Sequence, residues 1–395
     1  MAPAQPALLV AQSGGPTPVM NASLAGVVEQ ANLSGIPRVL GARYGIQGVL
    51  QRDLMDLKAQ PPTLWPRLRR TPSAALGSCR RKLSGEDRQI VLETLIDLQV
   101  RYFLYIGGND SADTALALDR TAREVGYDLQ VVSIPKTIDN DLPGTDHCPG
   151  YGSAARFIAQ STQDAGLDTE AMRLSDPIKL IEVMGRDAGW LVAAATLGKP
   201  DEAHAPHLIC VPERPLDIDA FLGAVESTYR RYGFVVAVVA ETIRDLAGRP
   251  LGTANEVLAA DAFGHPNLAG GAATLTALIG RRLGIRARFD KPGTIQRMSM
   301  ALASPVDLDE AYSAGARAVL YALEGRSGCM VGFTRLEDAP YNCEMNAVDL
   351  SLVANQQRVL PAEYLDSGPF SISPRFRDYA LPLIGGPIEA YPRLL

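Results

Sequence analysis

The stretch YFLYIGGNDSADTALAL, residues 102–118, changes character at a pair of glycines. An apolar run typical of a buried strand precedes Gly107 and Gly108, and a helical pattern follows them. At such a turn, exposed backbone N–H groups and the helix dipole favour an anion, as in a phosphate cradle. Asp110, however, adds a carboxylate to the same turn. The stretch therefore predicts a strand-turn-helix unit and leaves open what the turn holds.

Similar apolar runs recur along the chain and alternate with helical patterns. Their residues are too uniformly apolar for strands with one wet face, which indicates a parallel sheet covered by helices on both sides. The runs are residues 8–11, 102–106, 130–134, 179–183, 207–211 and 234–240. We therefore predict an α/β fold with mainly parallel sheets.

Five of the predicted strands end in unusual polar segments. In parallel α/β sheets, ligands bind at the carboxyl ends of the strands, so these segments are the candidate site. They read SGGPTPVMN (13–21), GGNDS (107–111), PKTIDND (135–141), EVMGRDAG (182–189) and ETIRD (241–245).

Composition narrows the class of partner and the cellular compartment. The net charge of −6 over 395 residues argues against general binding of nucleic acid or an anionic membrane. No apolar run reaches the roughly 18 residues of a membrane span, and the first residues lack the charged region of a signal peptide. We expect a cytoplasmic protein. Its five scattered cysteines, without C-x-x-C spacing, suggest neither a zinc cage nor a disulfide framework.

The segment at 135–141 has the composition of a phosphoryl-transfer site. The turn at 13–21 lacks the G-x-G-x-x-G fingerprint and the chain has no P-loop, which disfavours dehydrogenases and P-loop enzymes. Lys136, Asp139 and Asp141 instead follow one strand closely. One acid can accept a hydroxyl proton, the other can lie near a metal, and the lysine can offset phosphoryl charge. An Asx-turn network that caps the next helix is the alternative.

Basic residues later in the chain are candidates for binding phosphate or sugar. Arg186 follows a predicted strand, and the segment 286–297 contributes Arg286, Arg288, Lys291 and Arg297. An arginine fork matches a phosphate monoester, although a single arginine of this kind is commonly a surface ion-pair partner. Glu241 is suited equally to binding a sugar hydroxyl and to forming a turn.

Taken in order, the motifs SGGPTPVMN, LGSCRR, GGNDS, PKTIDND, EVMGR and GTIQR resemble those of the 6-phosphofructokinase family, over about residues 8–325. The resemblance implies two similar three-layer α/β domains. Residues 1–152 with about 298–355 would bind the phosphoryl donor. Residues 153–297 with about 356–395 would bind the sugar phosphate.

The resemblance also implies roles for individual residues. Asp139 matches the base that takes the proton of the sugar 1-hydroxyl, with Thr137, Lys136 and Asp141 as the other catalytic residues. The residues that match donor contacts are Gly15, Arg80, Gly108, Asn109 and Asp110. Those that match contacts of fructose 6-phosphate are Met184, Gly185, Arg186, Glu241, Arg288 and Arg297, the last two at the 6-phosphate.

The family resemblance further implies a magnesium ion and a homodimer or homotetramer, in which a neighbouring subunit supplies some of the phosphate contacts. Asn109 stands where ATP-dependent members carry a magnesium-binding aspartate. The metal ligand is therefore left open between Asn109 and Asp110, with Asp141 as a further candidate.

Two substitutions bear on the phosphoryl donor. Asp110 fills the space over which the α-phosphate and ribose of ATP would pass, and its charge repels that phosphate. Lys136 replaces the glycine that precedes Thr-Ile-Asp in ATP enzymes. Both resemble the pyrophosphate-dependent branch of the family. An ATP-dependent 6-phosphofructokinase and a catalytically silent sugar-phosphate sensor are the alternatives.

Overall fold

The computed structural model describes residues 6–252 and 270–393. The strands are β1 (Ala7–Gln12), β2 (Arg38–Ala42), β3 (Leu54–Asp56), β4 (Val100–Gly107), β5 (Gln130–Pro135), β6 (Ile178–Val183), β7 (Leu208–Cys210), β8 (Val235–Ala240), β9 (Ala287–Asp290), β10 (Cys329–Asp338) and β11 (Tyr341–Asp349). All six apolar runs of the sequence are strands, namely β1, β4, β5, β6, β7 and β8.

Helices fill most of the chain between the strands. They are α1 (Met20–Leu33), α2 (Ile46–Gln51), α3 (Leu64–Leu68), α4 (Gly85–Asp97), α5 (Asn109–Glu124), α6 (Tyr151–Ala171), α7 (Trp190–Ala194), α8 (Ile218–Tyr232), α9 (Gly271–Leu283), α10 (Pro305–Leu323) and α11 (Pro374–Leu383). Among the described residues, no helix combines the length and apolar character needed to cross a bilayer.

Among the described residues, seven strands form the first sheet, in the order β11-β10-β5-β4-β1-β2-β3. The five central strands, β10 to β2 in that order, are mutually parallel, whereas β3 and β11 pair antiparallel at the two edges. Gln12 lies opposite Ile106, and Gly107 lies opposite Pro135. The turns after β1, β4 and β5 therefore lie next to one another at the carboxyl ends of these parallel strands.

Two hydrophobic cores cover the two faces of this sheet. Ala7, Leu9 and Ala11 of β1 pack into the core that includes residues of α2, α4 and α5. The alternate residues Leu8 and Val10 pack into the core that includes residues of α1, α3 and α10. Full burial of one such leucine side chain contributes roughly 1.5–3 kcal/mol, so burial on both faces strongly stabilises the strand within the sheet.

Helices α1 and α10 approach closely because glycine lies at both contact points. A Cβ atom at Gly26 would collide with the carbonyl oxygen of Tyr312, and one at Gly315 would collide with that of Ser23. The two helices therefore pack backbone against backbone over one face of the first sheet.

In the part of the chain that the structure describes, the second sheet contains four parallel strands in the order β7-β8-β6-β9. Residues of α8 and α9 pack with β6, β7 and β8 in one core. Val183 lies opposite Ala240, so the segments that follow β6 and β8 start next to each other at the carboxyl ends of the two strands. The predicted α/β class with mainly parallel sheets is confirmed.

The chain divides into two compact units, residues 1–153 with 297–358 and residues 154–296 with 359–395. These boundaries differ from the sequence-based ones at Ser153, Arg297 and residues 356–358. Ser153 donates its N–H to Asp307 Oδ2 (2.8 Å), and Arg297 lies against Gly15. The assignment of the donor to the first unit and the sugar phosphate to the second stays a prediction.

Candidate active site

In the first unit, a buried lysine joins the turns that follow β1 and β5. Lys136 is 4% exposed, and its Nζ donates a hydrogen bond to the carbonyl oxygen of Gly15 (2.9 Å). Gly14 has a φ of 78°, and a Cβ atom there would lie 3.0 Å from the same Nζ. The diglycine turn is therefore needed both for its backbone conformation and for the approach of the lysine.

Beside this turn lies a cavity with cationic walls. Its volume is about 500 Å³, and it is lined by Gly14, Gly15, Pro16, Ser78, Cys79, Arg80 and Arg297. Burial and the neighbouring Arg80 guanidinium lower the pKa of Arg297, while Asp139 opposes that shift. Nε of Arg297 is buried and has no hydrogen-bond partner among the described residues. Two guanidinium groups and a buried polar N–H without a partner suit a multiply charged anion.

The loop after β5 holds the predicted base in a defined conformation. Thr137 Oγ1 accepts the N–H of Asp139 (3.1 Å) and donates to Asp141 Oδ1 (3.2 Å). Asn140 adopts a φ of 55° and is fully buried, as Asp141 nearly is, whereas Asp139 is partly exposed. The predicted polar turn therefore exists, and within it Asp139 is the carboxylate most accessible to a substrate.

Helix α5 begins at the turn that follows β4. Gly108 occupies the N-cap position in an extended conformation, and Asp110 lies in the first helical turn. Asn109 donates from Nδ2 to the carbonyl oxygen of Gln356 (2.5 Å), and its Oδ1 is buried without a hydrogen-bond partner in the described part of the chain. A carboxylate and an amide oxygen thus lie at the positive end of this helix.

In the second unit, the segments after β6 and β8 form one polar cluster. The carboxylate of Glu241 accepts the N–H groups of Gly185 (3.3 Å) and Arg186 (3.2 Å). Burial raises the pKa of Glu241, although these two N–H groups act to lower it. The N–H of Met184 donates to Oε1 of Gln296 (3.1 Å), a residue that is 1% exposed. Four predicted sugar contacts, Met184, Gly185, Arg186 and Glu241, are therefore brought together.

Arg288 does not join this cluster within its own unit. It lies on β9 opposite Lys179, well before the carboxyl end of β6. Its guanidinium pairs with Asp176 (2.8 Å), which also binds Arg286 (2.7 Å). Contact of Arg288 with a 6-phosphate stays a prediction; the family resemblance implies that a neighbouring subunit supplies some of the phosphate contacts.

Known proteins resemble this chain over most of its length. The model of the phosphofructokinase family matches residues 7–321. A protein of Xanthomonas campestris pv. campestris named pyrophosphate--fructose 6-phosphate 1-phosphotransferase is 43% identical over 385 residues, 96% of this chain and 91% of that protein. The chain belongs to the phosphofructokinase family. A protein of the same name from Methylococcus capsulatus is 40% identical over 97% of this chain and 92% of its own.

A solved phosphofructokinase structure extends the match to three dimensions. The crystal structure described as a pyrophosphate-dependent phosphofructokinase from Nitrosospira multiformis is 36% identical to this chain and superposes with a TM-score of 0.88. The match covers 99% of this chain and 94% of that one. The predicted family and fold are thus confirmed.

A buried charged cluster includes residues of the loop between β5 and α6, and the sequence assigned it no task. His147, 2% exposed, contacts Asp146 Oδ1 through Nδ1 (2.8 Å) and Glu310 Oε2 through Nε2 (2.7 Å). Arg335 also pairs with Asp146 (2.9 Å), and Tyr341 donates to Glu310 Oε1 (2.5 Å). Burial acts to lower the pKa of His147, but the two carboxylates prevail and raise it to about 9.

This raised pKa predicts how the stability of the protein depends on pH. Because the folded state favours protonated His147, its contribution of up to about 3 kcal/mol is complete below pH 6.5 and is lost as the pH rises through about 9. Burial also raises the pKa of Asp307, to about 6, but this carboxyl changes the free energy of unfolding only at lower pH. His147→Gln should therefore flatten the loss of unfolding free energy between pH 6.5 and 9 in urea titrations. Equal slopes for wild type and variant would contradict the assignment.

Proposed function

We propose that this chain transfers a phosphoryl group from pyrophosphate to the 1-hydroxyl of fructose 6-phosphate, reversibly, giving fructose 1,6-bisphosphate and phosphate. The observation that carries the donor assignment is the buried ammonium of Lys136 on the carbonyl oxygen of Gly15, beside a cavity lined by two arginines. The position of Asp110 in the first turn of α5 disfavours a longer nucleotide donor. The names of the relatives in Xanthomonas and Methylococcus support the same substrates.

In this mechanism the chain supplies a base and positive charge. Asp139 accepts the proton of the sugar 1-hydroxyl. At the same time, the oxygen of this hydroxyl attacks the nearer phosphorus atom of pyrophosphate. The bond to the bridging oxygen breaks, and phosphate leaves. Lys136, Arg80 and Arg297 neutralise charge on the transferring and leaving groups, which is the main protein contribution to phosphoryl transfer. Thr137 lies beside the transferring group. It orients Asp139 because its hydroxyl oxygen accepts the backbone N–H of Asp139.

We propose Mg²⁺ as the cofactor, held chiefly by oxygen atoms of the donor. The described residues contain no cluster of three or more histidine, cysteine or acidic side chains that would form a complete protein cage. Mg²⁺ commonly needs only one or two protein ligands beside substrate phosphates. The buried Oδ1 of Asn109, which lacks a hydrogen-bond partner in the described residues, fits such a role, as do the carboxylates of Asp110 and Asp141. When bound, the ion would offset negative charge on the donor.

One coupled assay tests the function. Purified protein is given fructose 6-phosphate and magnesium with either pyrophosphate or ATP, and fructose 1,6-bisphosphate is measured through aldolase. We expect turnover with pyrophosphate, and we expect the kcat/KM for pyrophosphate to exceed that for ATP by a large factor. A preference for ATP would favour the ATP-dependent alternative. Binding of fructose 6-phosphate without turnover of either donor would favour the sensor.

Arg297 provides a second test, because the structure places it beside Gly15 and Arg80 in the first unit. We expect Arg297→Ala to raise the KM for pyrophosphate by about 10- to 100-fold, since one charge-assisted hydrogen bond contributes roughly 1.5–3 kcal/mol. Arg288→Ala should instead raise the KM for fructose 6-phosphate. If Arg297→Ala raises only the KM for fructose 6-phosphate, the role implied by the family resemblance is correct and the donor contact is wrong.

The assembly and location of the enzyme also stay proposals. We propose a homodimer or homotetramer, which light scattering of the purified protein would distinguish from a monomer. A cytoplasmic location is proposed from the sequence.

A further inference from the structure

One arginine near the end of the first unit binds the backbone of residues 136–146 at several points; because the proposed base Asp139 lies in this segment, it is called the catalytic loop below. Arg358 donates from Nε (3.2 Å) and from one terminal nitrogen (2.9 Å) to the carbonyl oxygen of Asn140. Its other terminal nitrogen donates to the carbonyl oxygens of Thr145 (2.7 Å) and Asp146 (2.6 Å). Its own N–H donates to the carbonyl oxygen of Asp141 (2.7 Å).

These bonds close the loop between its two ends. Asn140 lies next to Asp139 in sequence, whereas Thr145 and Asp146 lie where the loop leaves toward α6. A planar guanidinium offers five N–H donors in a fixed fork, so a single side chain holds both ends at a fixed separation. The positive φ of Asn140 (55°) is thereby held in place by bonds to its carbonyl oxygen.

The residues just before Arg358 contact the start of α5. The carbonyl oxygen of Gln356 accepts the hydrogen bond from Asn109, and Asn355 Nδ2 donates to Asp113 Oδ1 (2.8 Å). The segment 355–358 therefore contacts both α5 and the catalytic loop. Residues beyond about 335 carry no recognisable motif, so the sequence alone assigns this segment nothing.

We propose that Arg358 is a positioning residue for the phosphoryl-transfer step. It acts through the backbone of residues 140–146, which sets the direction of the Asp139 carboxylate toward the sugar hydroxyl. The proposal rests on the function proposed above in its use of Asp139 as the base. It requires no contact between Arg358 and either substrate.

The proposal predicts a loss in kcat with little change in KM. A displacement of a catalytic group by about 1 Å costs on the order of 10²-fold in rate. We therefore expect Arg358→Ala to lower kcat by about 30- to 100-fold, with each KM within about threefold of wild type. Arg358→Lys retains the charge but has no planar fork to span both ends of the loop, so its kcat should be intermediate.

Arg214 provides a matched control. Its guanidinium also donates to backbone carbonyl oxygens, those of Asp366 and Gly368, and all three residues belong to the second unit. Arg214→Ala should lower the melting temperature, as Arg358→Ala should, but leave kcat at the wild-type value. Guanidinium chloride at a sub-denaturing concentration should restore part of the kcat of Arg358→Ala and should not raise that of Arg214→Ala.

Each outcome decides the proposal. A kcat within threefold of wild type for folded Arg358→Ala overturns it, as does an equal loss of kcat in Arg214→Ala. Failure of both Arg358→Ala and Arg358→Lys to fold also overturns it, because the role of the residue is then purely structural. The assay uses whichever donor the wild type turns over. An error in the donor assignment therefore appears in the wild type, whereas an error about Arg358 appears only in the variant-to-wild-type ratio.

Discussion

Asp139→Asn is expected to lower kcat by roughly 10²–10⁴, the usual cost of removing a general base, with any misplacement of the amide adding to the loss. Thr137 binds the backbone N–H of Asp139, and the substitution keeps this contact, so the loop should keep its shape in the variant. The KM for fructose 6-phosphate should therefore change far less than kcat. Initial rates with pyrophosphate, at several concentrations of each substrate, separate the two parameters.

A surface aspartate of the same unit serves as the control for this substitution. Asp128 pairs with Arg101 at 2.8 Å, and its side chain is 61% exposed. Such exposed pairs contribute little to stability, so Asp128→Asn should leave kcat unchanged. Retention of a tenth of the wild-type kcat by Asp139→Asn would show that another group accepts the proton.

The sequence predicted five central strands and the edge strand β7, whereas the central strands β2 and β10 and the edge strands β3, β9 and β11 were not predicted. A strand covered on both faces must be apolar throughout, which is why β1, β4, β5, β6 and β8 stand out as apolar runs. The edge strand β9 has one partly buried and three exposed residues, and the outer half of β10 is largely exposed. Edge strands need only one buried face or none, so they leave a weak signal in the sequence.

The candidate site likewise contains residues that the sequence predicted and residues that it missed. Lys136, Asp139 and Asp141 follow one strand within a few residues, and parallel-sheet topology alone places them beside the turn at Gly15. Gln296 and Arg358 were missed because they act on main-chain atoms: Gln296 accepts the N–H of Met184, and Arg358 binds carbonyl oxygens of the catalytic loop. Every residue type supplies the backbone C=O and all but proline supply the N–H, so no motif marks such contacts. Only the folded chain reveals them.

Donor choice should change most when Asp110 and Lys136 are altered together. Lys136→Gly removes the buried ammonium from the carbonyl oxygen of Gly15, and we expect kcat/KM for pyrophosphate to fall by about 10²–10³. Asp110→Gly removes a carboxylate from the N-terminal turn of α5, which frees volume and ends its repulsion of a nucleotide α-phosphate. This change should raise the kcat/KM for ATP with a smaller loss for pyrophosphate.

The double variant should therefore narrow the preference for pyrophosphate from both sides, because one change weakens the short donor and the other admits the long one. Lys136→Met is the matched control: it removes the ammonium but keeps most of the volume, so it should lose pyrophosphate activity without gaining ATP activity. The wild type should also catalyse the reverse reaction readily, because a pyrophosphate donor leaves the transfer near equilibrium. If the wild type turned over ATP as efficiently as pyrophosphate, Asp110 would not exclude the nucleotide, and the ATP-dependent alternative would be favoured.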